Sequence, residues 1–133
     1  MNNEERPVVE SHSLVFLEMA FRTDRQDTIE HPDGYGRKTG DCGDSIEIFL
    51  EIREGCITRF RYQLDGCLHT NACCNMLAEL TEARPAAEAW EISPEAVSAC
   101  LETLPPDHFH CAELAVGTRS EEHTSELQSR QSI

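Results

Sequence analysis

Gly40-Asp41-Cys42-Gly43-Asp44-Ser45-Ile46-Glu47-Ile48-Phe49-Leu50-Glu51-Ile52 runs from a tight turn, with a cysteine between two carboxylates, into the most regular β pattern of the chain. Ile46, Ile48, Leu50 and Ile52 fall on one face, and Glu47, Glu51 and Arg53 share the other with Phe49. A period of two with one apolar side predicts a strand buried on one face. Glu54-Gly55 supplies a turn, and alternation resumes over 56–64. There Cys56, Thr58, Phe60, Tyr62 and Leu64 fall on one side, opposite Arg59, Arg61 and Gln63. The pair reads as an antiparallel hairpin, which is marginal alone and needs helices over its apolar face.

Helical patterns lie on both sides of it. From Ser13 a helix is expected, with Leu14, Leu17 and Phe21 marking one face, Ser11 or Ser13 as N-cap, and an end near Asp24 to Asp27. His31-Pro32-Asp33-Gly34-Tyr35-Gly36 reads as turn chemistry, and Gly36, Gly40 and Gly43 leave the approach to Cys42 open to close backbone contact. After Asp65-Gly66-Cys67, a helix over about 70–83 would turn Cys73, Met76, Leu77 and Leu80 inward. Pro85 opens a short helix carrying Trp90. Ser93-Pro94-Glu95 is a start signal, Ser as N-cap and Pro at N1, for a helix with the stripe Val97, Cys100, Leu101 and Leu104, which Pro105-Pro106 stops. A last helix begins near His110-Cys111 with Ala112, Leu114 and Ala115. Helix, strands, then helices predict an α+β fold, a small antiparallel β-sheet packed against several helices.

Length and charge narrow the function. The 133 residues suit one domain. We divide them into a flexible N-terminus, 1–10, a domain over 11–118, and a tail over 119–133. In that tail Arg-Ser-Glu-Glu-His-Thr-Ser-Glu-Leu-Gln-Ser from Arg119 matches an in-frame translation of a common DNA-sequencing adapter, so the tail reads as an assembly artefact. A formal charge of −14, with Lys38 the only lysine, argues against nucleic acid or an anionic membrane as partner, since both need clustered basic residues. No apolar run approaches the length of a membrane span and no signal-peptide pattern opens the chain, so a cytoplasmic protein is expected. Its seven cysteines then point to metal or sulfur chemistry rather than disulfides.

The cysteines divide into two groups. Cys56 and Cys100 sit on apolar stripes and read as core, as does one of Cys73 and Cys74; the other of that pair could sit near a site. Cys42, Cys67 and Cys111 fall on no apolar period, and each lies in or beside a loop. A hairpin brings the residues before its first strand and after its second to one end of the sheet, so Cys42 and Cys67 should be neighbours. Cys111 joins them if the last helix starts at that end. Cys67 precedes one helix and Cys111 opens another, where unpaired N–H groups favour thiolate over thiol. Three thiolates with a carboxylate or imidazole would hold zinc or an iron–sulfur cluster, with Asp44 and His110 the local candidates for the fourth ligand. His69 reads as a solvated loop histidine or as an extra ligand.

Asp41-Cys42-Gly43-Asp44 before an alternating strand, Gly66-Cys67 at a strand-to-helix junction and His110-Cys111 opening a helix together resemble the three signature sites of the NifU/IscU family. These proteins are scaffolds for assembling iron–sulfur clusters, and the resemblance covers about 11–118. It implies a protein that accepts sulfur from a cysteine desulfurase, with Cys111 as sulfur acceptor. Iron would bind at Cys42, Asp44, Cys67 and Cys111, with His110 a further candidate, and a transient [2Fe-2S] cluster would pass to acceptor apoproteins. Asp44, a harder and poorer partner for the cluster than a fourth thiolate, would keep it releasable. The family's chaperone-binding stretch usually reads Leu-Pro-Pro-Val-Lys, whereas Leu104-Pro105-Pro106-Asp107-His108 stands here, which counts against a dedicated Hsp70-type chaperone.

The main alternative is a zinc-bound sulfur-transfer partner, in which the same cysteines hold Zn²⁺ and one receives persulfide from the desulfurase. A structural zinc site, or a thiol enzyme with Cys111 as nucleophile and His110 as base, are weaker readings. Adjacent helix residues diverge in direction, and no oxyanion cradle is evident. The expectation is a scaffold and carrier rather than an enzyme.

Overall fold

The computed structural model describes residues 12–40 and 43–118. The expectations for the flexible 1–10 segment, for Cys42 and for the 119–133 tail lie outside the described residues. The fold is α+β. Helix α1 (Leu14–Phe21) precedes an antiparallel meander of β1 (Gly34–Thr39), β2 (Ser45–Arg53) and β3 (Cys56–Asp65), in the order β1-β2-β3. Then come α2 (Leu68–Thr81), a short α3 (Ala86–Ala89), α4 (Pro94–Leu101), a 3-10 turn (Pro106–His108), and a last helix α5 over 109–118. No described helix is long and apolar enough to cross a membrane.

Strand β1 replaces the turn expected around Gly34-Tyr35-Gly36. Its glycines depress strand propensity, but pairing with β2 supplies what propensity lacks, with Gly36 opposite Ile48 and Tyr35 opposite Phe49. Tyr35 packs tilted against Phe49 across the two strands and hydrogen-bonds Glu47. The β2–β3 turn falls where expected, with Glu54 and Gly55 both at positive φ (55° and 80°), the requirement of a tight two-residue hairpin turn.

The inward face of β3 differs from strict alternation. A bulge between Glu51 and Ile52 shifts the register, so that Ile52 pairs with Ile57 and Arg53 with Cys56. One extra residue reverses side-chain parity. Ile57 therefore enters the core, Thr58 turns to solvent to meet Glu51, and Cys56 is only half-buried, contrary to its expected place in the core. Phe60 and Tyr62 keep theirs.

Helix α1 is rotated from the expected face. Its N-cap is Ser13, whose hydroxyl accepts from Phe16 N, but Phe16, Met19 and Ala20 are buried while Leu14 is 84% and Phe21 62% exposed. The segment is apolar nearly all round, so its pattern cannot choose a face. The polar anchors on α2 choose it. Asn75 Nδ2 donates to Met19 O and Arg22 O, and Asn71 Nδ2 to Ala20 O and Arg22 O, satisfying the carbonyls that a helix end leaves unpaired.

Helix α2 is the centre of the molecule, buried continuously from Thr70 to Ala78. Cys73 and Cys74 are both fully buried, although adjacent positions diverge, because α1 and α4 pack on α2 and the sheet covers a further side. Helix α4 starts as expected, with Ser93 Oγ accepting from Ala96 N and Pro94 in the first turn, and it buries Val97 and Leu101. Cys100 is exposed rather than core: the helix is only 8 residues long and buries a narrower stripe than its sequence offers.

Candidate metal centre

The end of the sheet opposite the Glu54-Gly55 turn gathers three donors. Ser45 pairs with Asp65, so Asp44 just before β2 and Gly66-Cys67 just after β3 emerge side by side. The turn into β2 is closed by Gly40 N donating to Asp44 O (2.8 Å) and Gly43 N donating to Gly40 O (3.0 Å), with Gly43 at φ 94°. Gly40 lies against the Leu114 side chain, so closely that a Cβ there would stand 3.2 Å from Leu114 Cδ2. That contact brings α5 to the turn, and with it Cys111. The ligand atoms of Asp44, Cys67 and Cys111 all lie within 4.8 Å of one another.

Thr70, which the sequence reading did not single out, sits between all three. Its Oγ1 is 2.6 Å from Asp44 Oδ2 and 3.4 Å from the Sγ atoms of both Cys67 and Cys111. A hydroxyl has one proton to give, and the carboxylate, being both closer and charged, holds it best. Cys67 N also donates to Asp44 Oδ2, at 3.4 Å. The available signal was the spacing: Thr70 is three residues after Cys67, the N-cap of α2, and positions three apart face the same way on a helix.

Gly66 makes room for this arrangement. A Cβ there would stand 2.7 Å from Asp44 Oδ2 and 2.8 Å from its Cγ.

The electrostatics correct one expectation. Cys111 is fully buried, and burial pushes its thiol up to about 12, with Cys67 and Asp44 adding to the effect and Thr70 opposing it. The position near the start of α5 does not make Cys111 a thiolate, because desolvation outweighs the helix terminus. Behind it, burial raises the thiols of Cys73 and Cys74 as well, and both remain neutral. Cys67 is exposed at the mouth of the site.

Two imidazoles stand at the sulfurs. His110 Nε2 lies 3.7 Å from Cys111 Sγ, and His69 Nδ1 lies 3.9 Å from Cys67 Sγ. His69 is held below the usual imidazole range, by burial first and then by His108 and His12, so its ring is neutral and keeps a lone pair. Two thiols, a carboxylate and an adjacent imidazole form a donor set of the kind that binds zinc or iron, with soft and hard ligands mixed. Because Cys111 must lose its proton to bind, loading such a site expels a proton.

Comparison with known proteins identifies the family. The NifU-like N terminal domain matches residues 25–124. The iron–sulfur cluster assembly scaffold proteins IscU 1 and IscU 2 of Archaeoglobus fulgidus are each 32% identical over 88 residues, covering 65% of this chain and 58% of theirs. This chain therefore spans less than two thirds of the length of these curated relatives. Among solved structures, the N-terminal part of a NifU-like protein from Brucella abortus superposes with a TM-score of 0.72 at 15% identity, over 87% of this chain and 94% of that one. A proposed scaffold of the SUF system from Fervidobacterium islandicum gives 0.67 at 15% identity, over 84% of this chain and 96% of that one. At such identities the structures attest the fold, and the sequence match attests the family. The chain belongs to the NifU-like N-terminal domain family.

Proposed function

We propose that this protein is a scaffold on which iron–sulfur clusters are assembled and from which they are transferred, rather than a catalyst. The observation that carries this reading is the convergence of Asp44, Cys67 and Cys111 on one point, in a chain of this family. Cys42, two residues before Asp44 in sequence, joins the ligand set by the resemblance to the family's signature sites, and His110 stands next to Cys111 as a further ligand. The protein works in the cytoplasm, and its partners are a cysteine desulfurase and the apoproteins that receive the cluster. A carboxylate among thiolates binds the cluster less firmly than a fourth thiolate would, which suits cargo that must leave.

Cys111 is the sulfur acceptor. Its sulfur attacks the terminal sulfur of the desulfurase persulfide, the donor S–S bond breaks, the desulfurase recovers its thiol, and the scaffold holds Cys111 as persulfide. An external electron donor reduces that sulfur to sulfide when the cluster forms with iron. Since Cys111 is fully buried, the desulfurase has to open a path to it.

The test is anaerobic reconstitution of the purified protein with ferrous iron, cysteine and a desulfurase. A scaffold develops the visible charge-transfer bands of a [2Fe-2S] centre and loses them in Cys42→Ala and Cys67→Ala. The same donor set also suits tetrahedral zinc, and a zinc-bound sulfur-transfer partner would hold one zinc, show no chromophore and stimulate desulfurase turnover.

A further inference from the structure

Four of the chain's six histidines gather on one side of the thiols. His12 comes from the segment before α1, His69 from the first turn of α2, His108 from the 3-10 turn and His110 from α5. Their ring centroids form a continuous row, 6.2 Å from His12 to His69, 3.7 Å from His69 to His108 and 5.9 Å from His108 to His110. His110 turns Nε2 to Cys111 and belongs to the thiol site. The other three share a different orientation. In each, Nδ1 faces a group able to accept its proton: Thr103 Oγ1 at 2.9 Å for His12, Cys67 Sγ at 3.9 Å for His69, and Asp107 Oδ1 at 3.2 Å for His108. Among the described residues, none of the three Nε2 atoms has a hydrogen-bond partner.

That pattern is how proteins prepare imidazoles for a metal. A ligating histidine donates one ring N–H to a hydroxyl, carboxylate or other acceptor, which fixes the tautomer and leaves the lone pair of the second nitrogen outward. Asp107 can only accept, so it sets His108 to the Nδ1–H form, and Thr103 Oγ1 keeps a lone pair for His12 after accepting from Ser13 N. We propose that His12, His69 and His108 form a second metal site, an all-imidazole site for a divalent transition-metal ion such as Zn²⁺, beside the thiol site and distinct from it.

The rings are gathered but not converged: among the described residues only Asp44, Cys67 and Cys111 bring their ligand atoms within 4.8 Å of one another, so an ion has to draw the three Nε2 atoms together. Two imidazoles bound to one ion through bonds of about 2.1 Å hold their centroids roughly 5 Å apart. The 6.2 Å between His12 and His69 is close to that, while the 3.7 Å stack of His69 on His108 must open. His108 is the ring able to swing, because it lies partly exposed on a short turn, whereas His12 is stacked on Phe16 at 4.0 Å. Imidazole suits Zn, Cu, Fe and Ni alike, and the chain's charge of −14 draws any of them in. Three protein ligands leave a coordination position to water, so the ion remains exchangeable. The inference needs no cluster chemistry and stands apart from the scaffold reading.

The experiment is titration of the full chain with Co²⁺ and with Zn²⁺, the latter in competition with a chromophoric chelator. The Cys42→Ser, Cys67→Ser, Cys111→Ser triple variant is expected to keep one equivalent of metal, with cobalt d–d bands and no sulfur-to-cobalt charge transfer. Adding His12→Gln and His108→Gln removes that equivalent. In the wild-type protein, Zn²⁺ is expected to move the ¹⁵N resonances of Nε2 in His12, His69 and His108, which reads the site without any substitution. The proposal is overturned if the triple cysteine variant binds no cobalt, if its binding survives the two histidine substitutions, or if His110 alone responds in the wild type.

Discussion

Gly66 and Asp44 are sterically coupled: a single methyl group on Gly66 would overlap the Asp44 carboxylate, 2.7 Å from Oδ2. The clash is with the end of a flexible side chain rather than with backbone, so Gly66→Ala is expected to fold and to turn Asp44 away from Thr70. The loss of one charge-assisted hydrogen bond predicts a cost of about 1.5–3 kcal/mol in urea denaturation. The site should then behave as in Asp44→Ala. If the carboxylate is the ligand most readily displaced by an incoming thiolate, both variants release the cluster to an acceptor apoprotein more slowly than the parent. A Gly66→Ala protein that releases at the parental rate while Asp44→Ala is slow would break the coupling.

Thr70 tests whether the three donors are held as a unit. Thr70→Val keeps the shape and removes the hydroxyl that reaches Asp44 and both sulfurs. Loss of such a supporting contact weakens metal binding by about 10–100-fold. Thr70→Ser restores the oxygen and is expected to restore affinity. Zinc competition with a chelator reads both, and equal affinities in all three proteins would make Thr70 a mere spacer.

The strands and helices that carry the site were legible because each has a local signal: alternation in β2, Glu54-Gly55, Ser93-Pro94, and the loop cysteines. What was not legible depends on partners distant in sequence. The residues of β1 hold a strand only because β2 lies beside them, and the parity of Ile57 depends on a bulge at Glu51 that leaves no mark in the alternation itself. The face of α1 is decided by Asn71 and Asn75, some fifty residues downstream. Cys100 showed that an apolar stripe in a short helix overstates burial, and Cys56 that a bulge moves a residue off the expected face. At the site, hairpin geometry led to Cys42 and Cys67 as neighbours; Cys42 lies outside the described residues, and it is Asp44, from the same end of β2, that the structure brings to Cys67. The roles of Thr70 and Gly66 did not follow from the hairpin, since they arise from side-chain contacts across three elements.

The rotation of α1 gives a direct contrast. Phe16 is fully buried and Phe21 is 62% exposed, on the same helix. Phe16→Ala is expected to destabilise by about 3–5 kcal/mol. Phe21→Ser lies on the solvent side and is expected to cost within about 0.5 kcal/mol. Urea midpoints in reverse order would place the helix on the face that its leading residues, Leu14 and Leu17, suggest.

Thiol accessibility separates the cysteines. Cys67 and Cys100 are exposed, whereas Cys73, Cys74 and Cys111 are fully buried. Brief iodoacetamide labelling of the metal-free protein at pH 8, read by peptide mass spectrometry, is expected to modify the first two and leave the last three. Addition of a desulfurase should raise Cys111 labelling if the enzyme opens a path to it. Cys111 reacting as fast as Cys67 in the protein alone would mean that no opening is required.

The buried thiols also give stability and metal affinity opposite dependences on pH. Burial raises the thiols of Cys73 and Cys74, and raises that of Cys111 to about 12, while an unfolded cysteine ionises near about 8.5. A group whose folded value is raised contributes stability that is intact below the unfolded value and lost as pH climbs toward the folded one. The metal-free protein should therefore hold its urea midpoint up to pH 8 and lose stability above it, by up to about 1.4 kcal/mol per pH unit for each thiol. Zinc binding runs the other way, because Cys111 must give up its proton to coordinate, so apparent affinity rises over the same range. Cys111→Ala should flatten both slopes: the alkaline fall in stability becomes shallower, and the gain in zinc affinity with pH diminishes. If the variant keeps the parental slope in both measurements, Cys111 is neither the buried neutral thiol nor the ligand assigned to it.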